Sequence, residues 1–270
     1  MKNLTNKSKK IRLDLFKKFY LLQEGHPGSA FSILDFLVTI YYEKYVRLKS
    51  DKSRKKKVYD DVIMSKGHAT VAQYPILYDL GIISKRDWMN WGVNKKTNLR
   101  MFGNNSIPGI KVASGSLGHG IGLGTGIAFA SKKQKINKKV FVIISEGELY
   151  EGSTWEGLFL LSHLNLDNFY LIIDVNKNII LGDPKKCLPL GDIKKKIESF
   201  GLKTFVTNGH NFKSMNLNLK KMSKIKKPTA LILKTIKGKG LKIMHNKPNW
   251  HYWNKITKNE YKKSIKELDV

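Results

Sequence analysis

Cysteine occurs once in this 270-residue chain, at Cys187, so an internal disulfide is excluded, and nothing around that residue marks a nucleophile. Arginine is scarce too: only residues 12, 47, 54, 86 and 100 are arginine among 50 basic side chains, and the rest are lysine. Bidentate phosphate contacts and base-edge readout favour arginine. The net charge of +29 therefore does not point to nucleic acid. Short runs such as Arg54-Lys55-Lys56-Lys57 and Lys194-Lys195-Lys196 read as solvated faces. They give a general attraction for anions, including sugar phosphates and an acidic partner. No apolar run reaches membrane-spanning length. The basic N-terminus, MKNLTNKSKKIRLDLF, is followed by no apolar signal core. These absences predict a cytoplasmic protein without membrane or nucleic-acid partners. Repeats, low-complexity blocks and linkers are also lacking, so residues 1–270 read as a single domain.

What is present is an alternation of strand and helix patterns. Helical periodicity is expected over Leu13–Gln23, Ser32–Tyr45, Ala69–Leu80, Leu117–Lys135, Ser153–Leu164 and Lys194–Phe200, with a short helical tail over Glu260–Leu268. Apolar runs at Asp60–Met64, Val140–Ile144, Phe169–Ile173, Thr204–Val206 and Ala230–Thr235 read as strands. This order implies an α/β fold: a mostly parallel sheet covered by helices on both faces, with helical decoration at its start. The Gly/Ala-rich segment from Leu117 suits close packing onto a sheet or a second subunit.

The most informative stretch runs from Lys138 to Gly182. One strand ends in Ser145-Glu146-Gly147-Glu148, a helix follows, and a second strand ends in Asp174-Val175-Asn176. In an open parallel sheet, ligands bind beyond the carboxyl ends of the strands. Both polar ends therefore face one crevice. Glu146 offers a carboxylate oxygen and Asn176 an amide oxygen, and hard oxygen ligands that leave positions open suit magnesium. Gly147 leaves room for a ligand to approach the backbone. Elsewhere Gly25-His26-Pro27-Gly28 closes the first helix, Ser65-Lys66-Gly67-His68 ends a strand, and Gly115-Ser116-Leu117-Gly118-His119-Gly120 opens a helix. Lys237-Gly238-Lys239-Gly240 follows another strand, and Trp250-His251-Tyr252 comes later. A lone histidine is usually structural, but several glycine-flanked or strand-end sites in one chain point to a shared site.

These segments resemble transketolase, in the family's order and across almost the whole chain. The acidic turn followed thirty residues later (176 − 146) by asparagine is similar to the thiamine diphosphate motif. Glu148-Leu149-Tyr150-Glu151-Gly152-Ser153 and Trp155-Glu156 carry the more specific likeness. The resemblance implies the thiamine-diphosphate-binding fold, in its diphosphate-binding domain, with thiamine diphosphate and Mg as cofactors. Glu146, Asn176 and the carbonyl of Asn178 would be the magnesium ligands. His68, Gly147 and Glu148 would lie at the diphosphate, and Gly115, Ser116, Leu117 and Ile180 at the cofactor rings. His26 would contact substrate and assist proton transfer, and His251 would sit near both diphosphate and substrate. Glu151 would couple paired active sites at an interface.

Two positions depart from the family. Glu146 stands where it has aspartate, moving the metal oxygen by roughly one bond length. Asn104 stands in place of a histidine that contacts the donor sugar, and asparagine takes up no proton at neutral pH. The resemblance covers only the diphosphate-binding part of a transketolase. The expectation is therefore the N-terminal subunit of a split enzyme, paired with a C-terminal, pyrimidine-domain subunit in a two-plus-two heterotetramer acting on sugar phosphates. Two other readings stay open: a subunit of another thiamine-diphosphate enzyme, of deoxyxylulose-phosphate synthase or 2-oxoacid type, and a catalytically inactive scaffold.

Overall fold

The structure, a computed structural model, describes residues 2–50, 56–94 and 96–268. Arg54 and Lys55, in the first lysine-rich run, lie outside the described residues. Two helices open the chain, α1 (Lys2–Leu22) and α2 (Pro27–Tyr42). α2 is mostly apolar and buried from Pro27 to Tyr41, with its few polar side chains such as Ser32 and Asp35 hydrogen-bonded, so it serves as a core element between other layers. A small antiparallel pair follows, β1 (Leu48–Ser50) with β2 (Lys56–Val58), then β3 (Asp61–Met64). Next come α3 (Tyr74–Asp79), α4 (Lys85–Asn90) and α5 (Gly120–Lys133). The central unit is β4 (Val140–Ser145), α6 (Gly152–His163) and β5 (Phe169–Val175). The remainder is α7 (Pro184–Cys187), α8 (Ile193–Ser199), β6 (Lys203–Asn208), α9 (Phe212–Met222), β7 (Thr229–Lys234) and α10 (Lys258–Leu268).

The main sheet has the order β3-β4-β5-β7-β6, and every neighbouring pair is parallel. Successive residues alternate between its faces. Met64, Phe141, Ile143, Tyr170, Ile172, Leu231 and Leu233 join a large core with α1 and α2. Ile63, Val142, Ile144, Leu171, Ile173 and Ile232 join a smaller one with Ile121 of α5 and Leu158 and Leu161 of α6. Gly124 sets the approach of α5, since a Cβ there would lie 2.3 Å from Val142 Cγ2. Register aligns the strand ends: Ser145 of β4 sits opposite Asp174 of β5, and Val175 opposite Lys234 of β7.

Several boundaries differ from the sequence-based expectation. The first helix begins at Lys2, not Leu13, and the second at Pro27, not Ser32. The helix expected over 69–80 is a 3-10 segment, Gly67–Ala72, followed by α3; Pro75 lacks the N–H that would tie one to the other. The helix expected from Leu117 begins at Gly120, because Gly118 takes a left-handed φ of +80°. The β1–β2 pair, α4 and α9 have no counterpart in that expectation, although Met215, Leu219 and Met222 of α9 are buried at helical spacing.

Candidate functional site

Beyond the carboxyl ends of β3, β4 and β5 lies a cavity of about 620 Å³. Its wall includes His26, His68 and His251, which come from three distant segments. Their rings cluster, with centroids 5.2 Å apart for His26 and His68, 5.6 Å for His26 and His251, and 5.9 Å for His68 and His251. Tyr252 and Phe102 flank His26 at 4.7 and 6.1 Å. The backbone explains the meeting. Trp253 N donates to Gly25 O at 2.6 Å and Gly238 N to Gly28 O at 2.9 Å, pinning the late segments to the α1–α2 turn. At Gly67 a Cβ would lie 2.4 Å from Gly115 N, so only glycine lets the His68 turn pack against the Gly115 loop.

Two lysines lie behind the histidines, and both are fully buried. Lys66 pairs with Asp174 and donates to Ser29 O at 3.1 Å. Burial alone would push the Asp174 carboxyl up, but Lys66, Ser32 and Thr235 together hold it below its ordinary value. Lys237 donates instead to neutral groups, His251 Nδ1 at 2.8 Å and Asn178 O at 3.2 Å. Burial, aided by Lys66, pushes it down to about 8. Burial and Lys237 bring His26 to about 4, and burial, Lys237, His26 and Lys66 do the same for His251. His68 is pushed well below its usual range by burial and these same neighbours. All three rings are thus neutral at pH 7, able to accept or donate a hydrogen bond.

Oxygen donors gather on the other wall. Glu146, Asn176 and Asn178 all line the cavity. Burial pushes the Glu146 carboxyl up, and its Oε2 accepts from Lys177 N at 3.0 Å. Asn176 Oδ1 accepts from Asn178 N at 3.1 Å, so these two residues share one turn. A buried carboxylate with an amide and a carbonyl beside it suits a hard cation, which would supply the opposite charge that burial leaves missing. Gly115, Leu117, Gly147, Glu151 and Ile180 also line the cavity, Ile180 with 60% of its surface exposed.

Three expected site residues stand off from the cavity lining. Glu148, expected at the diphosphate, is wholly buried behind the wall. Its carboxylate accepts from Ser65 Oγ, Gly118 N (3.0 Å) and Ser145 N (2.9 Å), because a capping box at the end of β4 draws it back. It ties three site loops together instead. Asn104, expected at the donor sugar, accepts from Ser106 N at 3.0 Å and from Ser106 Oγ, so it caps its own turn, and Phe102 lines the cavity instead. Ser116 is exposed between two lining residues. Sequence reasoning does not single out Lys66, Asp174 or Lys237; the glycine-flanked turns that carry both lysines are the available signal.

The family described as "Transketolase, thiamine diphosphate binding domain" matches residues 2–264. The chain belongs to the transketolase family. It is similar to an apulose-4-phosphate transketolase subunit of Phocaeicola vulgatus, with 31% identity over 99% of this chain and 94% of that protein. It is 31% identical to mouse transketolase-like protein 2 over 92% of this chain and 39% of that protein. Among solved structures it is similar to Campylobacter jejuni transketolase, with a TM-score of 0.86 and 26% identity over 100% of this chain and 43% of that one. The transketolase domain seen here thus spans about two fifths of the length of the mouse and Campylobacter proteins. No helix among its described residues is long and apolar enough to cross a membrane.

Proposed function

We propose that this chain is the diphosphate-binding subunit of a two-chain transketolase that moves a two-carbon ketol unit from a ketose phosphate to an aldose phosphate. The observation that carries this reading is the ring of three neutral histidines facing a wall of oxygen donors across one cavity. Thiamine diphosphate, when bound, supplies the electron sink that lets a carbon–carbon bond beside a carbonyl break. Glu146, Asn176 and the Asn178 carbonyl would hold Mg, which would supply positive charge for the diphosphate. His68 and the backbone at Gly147 bind the diphosphate itself. Gly115, Leu117 and Ile180 border the cofactor rings. His26 and His251 take and return protons at substrate oxygens, a task for bases that are uncharged at neutral pH.

The second chain is a C-terminal, pyrimidine-domain subunit, and the assembly is a two-plus-two heterotetramer. Two features support a partner. α5 and α6, which pack together, expose Leu123, Phe129, Phe159 and Leu160, with open positions at Gly122 and Gly126. The similar protein of P. vulgatus, which this chain matches over nearly its whole length, is itself named as one subunit of its transketolase. Glu151, exposed at the cavity rim, is the residue through which paired sites would communicate. The test is ketol transfer by the purified chain with saturating thiamine diphosphate and Mg, measured alone and after adding a pyrimidine-domain polypeptide. Transfer is expected only with both chains. Turnover at an ordinary enzymatic rate by the single chain would refute the two-chain reading.

A further inference from the structure

His210 lies outside the cavity, in the turn between β6 and α9, yet a continuous set of contacts leads from it to the site. Its Nδ1 stands 2.7 Å from Asp35 Oδ2, and its Nε2 accepts the backbone N–H of Ile236 at 2.9 Å. One nitrogen accepts, so the other donates, and the ring is the neutral tautomer with its proton on Nδ1. Asp35 is buried and already anchored by Arg12 at 2.7 Å and by Ser8. The carboxylate therefore does not need the histidine for charge balance. Ile236 precedes Lys237, whose ammonium reaches His251 and the Asn178 carbonyl. The rest of this turn is held as well: Gly238 N donates to Gly28 O, and Gly240 packs on Arg12, where a Cβ would lie 2.4 Å from Cδ.

We propose that His210 is a positioning residue of the site. Asp35 fixes the ring, the ring holds the Ile236 amide, and that amide sets where the Lys237 ammonium meets His251 and the Asn178 turn. A side chain that merely filled space would not need to donate on one edge and accept on the other. The proposal borrows from the reading above only the roles of His251 and Asn178 in the working site, which Lys237 contacts from behind.

The test is the NMR titration of the His251 ring in the full chain. Wild-type His251 is held down to about 4 in part by Lys237. In His210→Leu, which frees the Ile236 amide, the midpoint should rise by about one unit, a tenfold change in proton affinity. His210→Asn, which is too short to span both partners, carries the same expectation and serves if the leucine variant does not fold. His210→Gln keeps one donor and one acceptor and should titrate like wild type. Identical His251 titrations in all the variants would overturn the proposal. The measurement involves no ketol transfer, so it stands or falls separately from the proposed reaction.

Discussion

The two faces of the main sheet are finished to different degrees. On one, α1 and α2 form a closed double layer: α2 is buried on every side and Phe16, Phe19, Phe31 and Phe36 have no exposed surface. On the other, α5 and α6 cover the sheet with one layer, and their outer side leaves Phe159 68% and Leu160 52% exposed. Both faces satisfy the sheet, but of the exposed large apolar side chains α1 and α2 carry only Leu21, whereas α5 and α6 carry Leu123, Phe129, Phe159 and Leu160. Clustered exposed apolar residues mark an interaction surface. The difference makes this layer the candidate surface for the proposed second subunit without reference to the cavity, and the cavity lining includes Leu117 and Glu151 just before these two helices.

The contrast can be broken at four points. The largest effect is expected on the closed face: Phe36→Ala should cost the isolated chain about 3–5 kcal/mol, read by denaturant unfolding. The opposite pattern is expected on the open face. Phe159→Asp should leave the isolated chain within about 0.5 kcal/mol of wild type, while weakening assembly with the second subunit by about 2 kcal/mol or more, measured by sedimentation or calorimetric titration. If that variant instead destabilises the isolated chain and assembles normally, the open face is ordinary surface. Between the faces, Asn176→Ala should weaken Mg-dependent binding of thiamine diphosphate to the assembled complex by about tenfold, or 1.4 kcal/mol. Unchanged affinity would remove Asn176 from the metal ligands.

The smallest effect is on pH dependence. His26 and His251 have folded values near 4, against 6.5 when free, so the unfolded chain binds more protons between those values. Stability from these rings is fully present above about pH 6.5 and is lost as pH falls towards 4. Melting temperature should therefore fall across that window. His26→Gln should flatten the slope, and an unchanged slope would show that His26 is not held neutral.

Much of this is legible in the sequence because it rests on local rules. Continuous apolar runs bounded by glycine turns mark buried parallel strands, and the strand-end rule then brings Glu146, Asn176 and His68 to one crevice. Side-chain direction is not legible. Glu148 and Asn104 satisfy themselves through nearby hydrogen bonds, a choice set by capping and turn geometry. Nor can sequence spacing show that Lys66 pairs directly with a carboxylate while Lys237 donates to a ring nitrogen and a carbonyl, because that depends on which strand end lies beside which. The boundary at Lys2 is hidden because much of α1 is polar, and its burial comes from α2, α3 and α10 packed around it.

The pinning of Trp253 to Gly25 also bears on how the molecule comes off the ribosome. His251 emerges 225 residues after His26 (251 − 26). At roughly 5–20 residues per second, more than about ten seconds separate them. Over that interval α2 has been made, but part of its lasting cover, including β7 and α9, has not. A nascent chain of this design carries an apolar helix whose cover is completed only later, and transiently exposed apolar surface favours aggregation. A premature stop before Trp253 would remove the hydrogen bond that closes the late segment over the α1–α2 turn, leaving His26 and His251 without that backbone tie.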